Sequence, residues 1–89
     1  MSQIHASSDE IRDFAARLQA CNENITEELS ATTAALAALG DTWNDAKSRE
    51  FEDAFEELRG CIARFSQACE EQIPHLCRLA DHLDDYENA

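Results

Sequence analysis

Cysteines, histidines and paired carboxylates are the side chains of this 89-residue chain that could do chemistry. Thiolates and imidazoles at short, ordered spacing hold zinc, and a C-x-x-C pair supports redox exchange. Cys21, Cys61, Cys69 and Cys77 form no C-x-x-C and keep no ordered spacing to a histidine, so they read as small apolar residues. His75 and His82 lie seven apart and can share a helical face, but no carboxylate or thiolate completes a ligand set around them, and they read as solvated. General acid–base work needs two carboxylates converging on a cleft that raises one pKa. Glu56-Glu57, Glu70-Glu71 and Asp84-Asp85 are instead sequence neighbours, which on a helix point to different parts of a solvated exterior. No serine stands in a nucleophile setting, and no glycine-rich phosphate loop is present. The expectation is a protein with no catalytic residue, no cofactor and no metal.

Composition points to helices. Hydrophobic residues make up 44% of the chain, much of it alanine, and only two Gly and one Pro interrupt it. One small domain is the most that this length builds. Nineteen acids against seven Lys and Arg give a net charge of −12, which opposes nucleic-acid phosphate and anionic lipid. An acidic mimic of nucleic acid is the one role of that kind left. Residues 41 to 89 carry thirteen of the acids, so the second half supplies most of the excess. No apolar run is long enough to span a bilayer, so no membrane insertion is expected. The first fifteen residues lack the basic start and apolar block of a cleavable signal. The chain is therefore expected to be cytoplasmic when made and, if exported, to leave without such a peptide.

Residues 1 to 6 show no periodicity. Ser7 with Glu10 three residues later has the spacing of a capping box, so the first helix is placed at about 8–39. Its stripe runs through Ile11, Phe14, Leu18, Cys21, Ile25, Leu29, Thr32, Leu36 and Leu39. Ala31, Ala34, Ala35, Ala37 and Ala38 flank the stripe near the turn and would let a neighbouring helix approach closely. Gly40 falls where a helix often ends on a left-handed glycine, and Asp41 and Thr42 offer caps for the next helix. The turn occupies 40–45, where Trp43 would close the end of the shared core. The second helix is placed at about 46–86. Its seam, Phe51, Phe55, Leu58, Ile62, Phe65, Cys69, Gln72, Leu76, Leu79, Leu83 and Tyr86, alternates steps of four and three; Pro74 is expected to bend this one helix, with a break at 72–75 as the alternative.

The short connection makes the helices antiparallel. Folding the chain about its turn sets Cys21 roughly level with Phe65, so a disulfide to Cys61 or Cys69 needs an offset between the helices; packed thiols are the simpler outcome. The stripes are wider than a two-stranded coil buries. The fold class is thus all-α: an antiparallel two-helix hairpin, expected to dimerise into a four-helix bundle. Phe14, Leu18, Phe51, Phe55, Leu58, Ile62 and Phe65 are the candidate interface.

A single Trp in the turn between two helices of similar length, in a chain close to a hundred residues, resembles the WxG (Trp-x-Gly) family, the early-secretory-antigen-like substrates of type VII secretion. The turn here reads Trp43-Asn44-Asp45, and Asn and Asp are the residues that best replace the left-handed Gly of the family pattern. The resemblance implies a non-enzymatic hairpin that pairs with a copy of itself or a related hairpin. It also implies export by a membrane ATPase system, as substrate or as the partner of a larger effector. Family members or their partners carry a C-terminal Tyr-x-x-x-Asp/Glu signal. Tyr86 would begin one, but Glu87-Asn88-Ala89 stops a position short, which leaves the signal to a partner or another segment, or leaves the chain unexported. The rival reading is an intracellular helical adaptor or chaperone for a toxin or other partner, using the same apolar face.

Overall fold

A computed structural model describes residues 7–87, which form two helices, α1 (Ser8–Leu39) and α2 (Ala46–Glu87), packed as an antiparallel hairpin. Residues 1–6, and Asn88 and Ala89 of the candidate C-terminal signal, lie outside that span. The start of α1 is the expected capping box. Ser7 Oγ accepts from the Glu10 amide at 3.1 Å, and Glu10 Oε1 accepts from the Ser7 amide at 3.3 Å. Two of the helix's free N–H groups are satisfied in this way, beside the acids that its dipole favours.

The turn corrects the expected chemistry in two respects. Gly40 sits at φ −61° and ψ −19°, and no residue among those described has a positive φ. The left-handed stop, and the need for Asn44 or Asp45 to stand in for a left-handed glycine, are therefore both absent. The helix instead tightens as it ends: the amides of Asp41 and Thr42 donate to the carbonyls of Ala38 and Leu39, three residues back. Such short bonds occupy the last carbonyls without any left-handed residue. The second correction concerns the cap of α2. Asp45, rather than Asp41 or Thr42, accepts the Ser48 amide on Oδ1 at 2.9 Å, while the Ser48 hydroxyl donates to the Asp45 carbonyl at 2.7 Å. Thr42 Oγ1 turns back to the Leu39 carbonyl. The third residue of the Trp43-Asn44-Asp45 triplet thus starts the second helix.

Helix α2 runs through Pro74 as one element, in keeping with the reading of a single helix and without the alternative break at 72–75. Pro74 and Glu70, whose carbonyl loses its usual donor, are both exposed, and water can satisfy that carbonyl. The molecule is a rod of 65 × 25 × 18 Å, its long dimension being the length of α2 at ~1.5 Å per residue. Its radius of gyration, 19.8 Å, far exceeds the ~12 Å of a compact domain of this length.

The hairpin's interior is thin. Ala15, Phe55, Cys69 and Ala80 are its buried apolar residues, joined by Ser8 and Ser48. Small side chains at both ends allow close approach of the backbones, and Phe55 supplies the one large buried body. Ala31, Ala34, Ala35, Ala37 and Ala38, expected to serve that close approach, are all exposed. Because Gly40 is right-handed, Gly40→Ala is expected to change stability by less than about 1 kcal/mol in urea unfolding followed by circular dichroism. The added Cβ would meet only the Ala37 carbonyl oxygen closely, at 3.2 Å. A loss well above that magnitude would show that the turn needs a left-handed residue after all.

Candidate functional site

The two apolar stripes are split by the fold. On α2, Phe55, Ile62, Cys69, Leu76 and Leu83, seven apart, turn inward and are buried or half-buried. Phe51, Leu58, Phe65, Leu79 and Tyr86, in the alternate line of the same seam, remain exposed at 37% to 84%. Gln72 fills the one polar position of that exposed line. On α1, Ala15, Leu18, Asn22, Ile25, Leu29, Thr33 and Leu36 turn inward, leaving Phe14, Cys21, Thr32 and Leu39 outside. Phe14 is 57% exposed.

Both outward lines lie about 80° around their helices from the inward ones, in the same rotational sense. In antiparallel helices that places them on one side of the hairpin. The result is a single long apolar face. Of the interface residues expected from sequence, Phe14, Phe51, Leu58 and Phe65 lie on it, Leu18 and Ile62 sit half-buried at its edge, and Phe55 belongs to the hairpin interior.

The turn closes one end of this face. Trp43 is half-buried, its ring 6.3 Å from that of Phe51, which in turn stacks at 6.1 Å on Phe55. Aromatic pairs at such separations gain beyond their buried area. The series leads from the turn, across the outward face, into the interior. Asn44 is exposed and offers its carbonyl to Arg49 Nη1 at 3.4 Å.

A clasp closes the other end. Arg12 Nη2 donates to Asp81 Oδ1 at 2.8 Å and Asp84 Oδ2 at 2.6 Å, while Asp9 lies 3.8 Å from Nη1. The Ser8 hydroxyl and then the Arg12 guanidinium hold the Asp84 carboxyl below the usual carboxylate range. Asp81 and Asp84 push the guanidinium further above its already high value, so its charge is constant at any working pH. The clasp keeps the last turns of α2 on α1 and displays Tyr86, 84% exposed, on an ordered helix. Spacing within one helix could not reveal it, because its partners are some seventy residues apart.

Asn22 was also hidden in the sequence. Its Oδ1 is buried without a partner in a groove shared with Thr26, Ser66 and Glu70. The cysteines are free, with Cys69 buried and Cys21, Cys61 and Cys77 exposed. Of the thiols expected to pack between the helices, Cys69 does and Cys21 and Cys61 do not. Among the described residues, no three His, Cys, Asp or Glu side chains gather as a metal site, and no helix is long and apolar enough to cross a membrane.

Comparison with known proteins adds two findings. The family model WXG100, described as proteins of 100 residues with WXG, matches residues 3–88. The ESAT-6-like protein SAG1039 of Streptococcus agalactiae serotype V (strain ATCC BAA-611 / 2603 V/R) is 30% identical over 84 residues, covering 94% of this chain and 88% of that relative.

The depressed Asp84 carboxyl fixes a pH dependence. A group whose folded pKa is lowered adds stability that is complete above its unfolded value of about 4 and lost as pH falls through the folded value. Thermal melts between pH 6 and pH 2 are therefore expected to show a falling midpoint below about pH 4 that is shallower in Asp84→Asn. Equal slopes in both proteins would remove the clasp from the account of acid unfolding.

Proposed function

The chain belongs to the WXG100 family, and from that premise we propose that it is a non-enzymatic hairpin which pairs with another hairpin through its outward apolar face. In that form it serves a type VII secretion apparatus, as exported substrate or as the dimerising partner of a larger effector. Type VII secretion is the known context of the family. The secretion ATPase is the partner such a role requires at the membrane.

The observation that carries the pairing is the regular line Phe51, Leu58, Phe65, Leu79, Tyr86 left in water by the hairpin's own packing. The chain exposes 6997 Å², against about 5,200 Å² for a compact protein of its 10.0 kDa mass. The excess is on the scale of one side of a large, obligate interface. An apolar strip of this length, interrupted on α2 at Gln72, marks a surface that a partner covers. Among the described residues no convergent acid–base or nucleophilic set accompanies it, and assembly is the property that the geometry supports.

Two substitutions separate interior from interface. Leu58→Asp should leave the helical circular dichroism signal intact while lowering the sedimenting mass to that of one chain. Phe55→Asp buries a charge inside the hairpin and should cost about 3 kcal/mol or more, melting the helices themselves. Unchanged mass for Leu58→Asp would refute the assembly face. The secretion role is read separately, by immunoblotting the culture medium of native cells with and without their type VII ATPase. The chain is expected outside only when the ATPase is present, and retention in both strains would favour an intracellular adaptor.

A further inference from the structure

We propose that the groove on the face opposite the apolar strip is a second docking site, and that it takes an arginine side chain presented by a partner protein. The proposal goes beyond the pairing of hairpins, because a hairpin covering the outward face leaves this side of the rod open. Its position follows from helical geometry. Phe14 and Cys21, on the outward face, precede inward residues by one, whereas Glu23, Glu56, Ala63 and Glu70 follow inward residues by one. A step of one is about 100° of rotation, so the second set lies on the other side of the hairpin.

Two grooves meet there, of about 640 and about 660 Å³, and Thr26, Ser66 and Glu70 line both. Leu29 and Ile62, both half-buried, give the first an apolar lining that crosses from one helix to the other, extended by Ala63. The remaining walls are acidic. Glu23, Glu27, Glu56 and Glu70 line the grooves against one base, Arg59. That base is already engaged, with Arg59 Nη1 donating to Glu56 Oε2 at 2.9 Å. Among the described residues, Glu23, Glu27 and Glu70 have no ion-pair partner.

The hydrogen-bonding groups are as one-sided as the charge. Asn22 Oδ1 is buried at the groove without a donor. Held by no N–H, the carboxamide is free to rotate about its terminal torsion and present that oxygen to an entering donor. The Glu70 carbonyl loses its donor to Pro74, which lies one turn further along the same flank of α2. The Thr26 hydroxyl donates to the Asn22 carbonyl at 2.7 Å, so towards a ligand it can only accept.

Unmet acceptors beside unpaired carboxylates select a ligand that is positive and donates hydrogen bonds. A metal ion fits poorly, since among the described residues no three acidic side chains gather to ligate one. A guanidinium spreads its N–H donors over a planar fork and reaches separate acceptors at once. The arginine stem suits the lining, its methylene groups lying on Leu29, Ile62 and Ala63 while the head stays among the carboxylates. Because the groove is open along the rod, it also has room for the backbone that carries such a side chain, which a partner protein has and a free amino acid lacks.

The test is a titration of the isotope-labelled full chain, followed by amide NMR, with a short alanine peptide carrying one central arginine. The same peptide carrying citrulline, the uncharged isostere, is the control. The arginine peptide is expected to shift the Asn22 side-chain amide and the backbone amides of Thr26, Ser66 and Glu70, and the citrulline peptide to bind at least about tenfold more weakly. Glu70→Gln should weaken the arginine peptide at least about threefold. Glu71→Gln, which removes the same charge from a neighbour that lines neither groove, should leave it unchanged. Ala63→Leu, at an exposed position outside the hairpin interior, fills the lining and should abolish the shifts with helical circular dichroism intact.

Equal binding of the two peptides overturns the arginine site. Equal losses in Glu70→Gln and Glu71→Gln do the same, leaving only the general attraction of an acidic chain for a cation. Shifts confined to the outward face place the peptide elsewhere and refute the groove. Groove shifts that grow with protein concentration before any peptide is added assign the site to an arginine of a second copy and overturn the separate partner. None of these outcomes touches the pairing face, which Leu58→Asp tests by itself.

Discussion

A helix can turn only part of its circumference towards one neighbour, and that limit governs this molecule. Each helix carries apolar residues over a wider arc than a single helix–helix contact covers. The hairpin buries the inward half of each stripe, with Phe55 as its one large buried side chain, and leaves Phe14, Leu39, Phe51, Leu58, Phe65 and Leu79 in water. Two helices alone cannot do otherwise. The rod shape, the extensive surface and the proposed pairing with another hairpin all follow from the same shortage of interior.

The two ends of the rod meet that shortage with different chemistry. At the turn, a tightened helix end and the Asp45 cap reverse the chain within six residues, and Trp43 carries the aromatic series Phe51, Phe55 into the interior. At the other end the chain has no covalent connection, and Arg12 bridges Asp81 and Asp84 instead. Exposed ion pairs are individually weak, but one guanidinium shared by two carboxylates fixes the relative position of helices whose apolar contact is narrow. That position holds α2 against α1 as far as the turn carrying Tyr86.

Helix existence, type and extent were legible because they depend on periodicity and on local capping. The Ser7–Glu10 box places the start of α1, and the alternating four- and three-residue steps from Phe51 onward give α2 its length. The turn was legible in position but not in mechanism. A glycine after the last apolar residue suggests a left-handed stop, yet the backbone closed with bonds to the third residue back, an alternative that costs no unusual conformation. Pro74 was legible as a residue the helix passes through, because the missing donor belongs to an exposed carbonyl that water can satisfy.

What the sequence determined by itself was the set of apolar residues, their seven-residue spacing, and the absence of any motif that converges on chemistry; these are properties of a chain read along its length. Only the tertiary structure decided which half of each stripe faces inward. Phe55 and Phe51 are both phenylalanine on the same seam, yet one is 8% exposed and the other 47%. The rotation of each helix about its axis is set by packing against the other, by small residues such as Ala15 and Ala80 that let the backbones close, and by the Arg12 clasp. None of these acts through neighbours in sequence, so a periodic pattern alone cannot divide a seam into interior and interface.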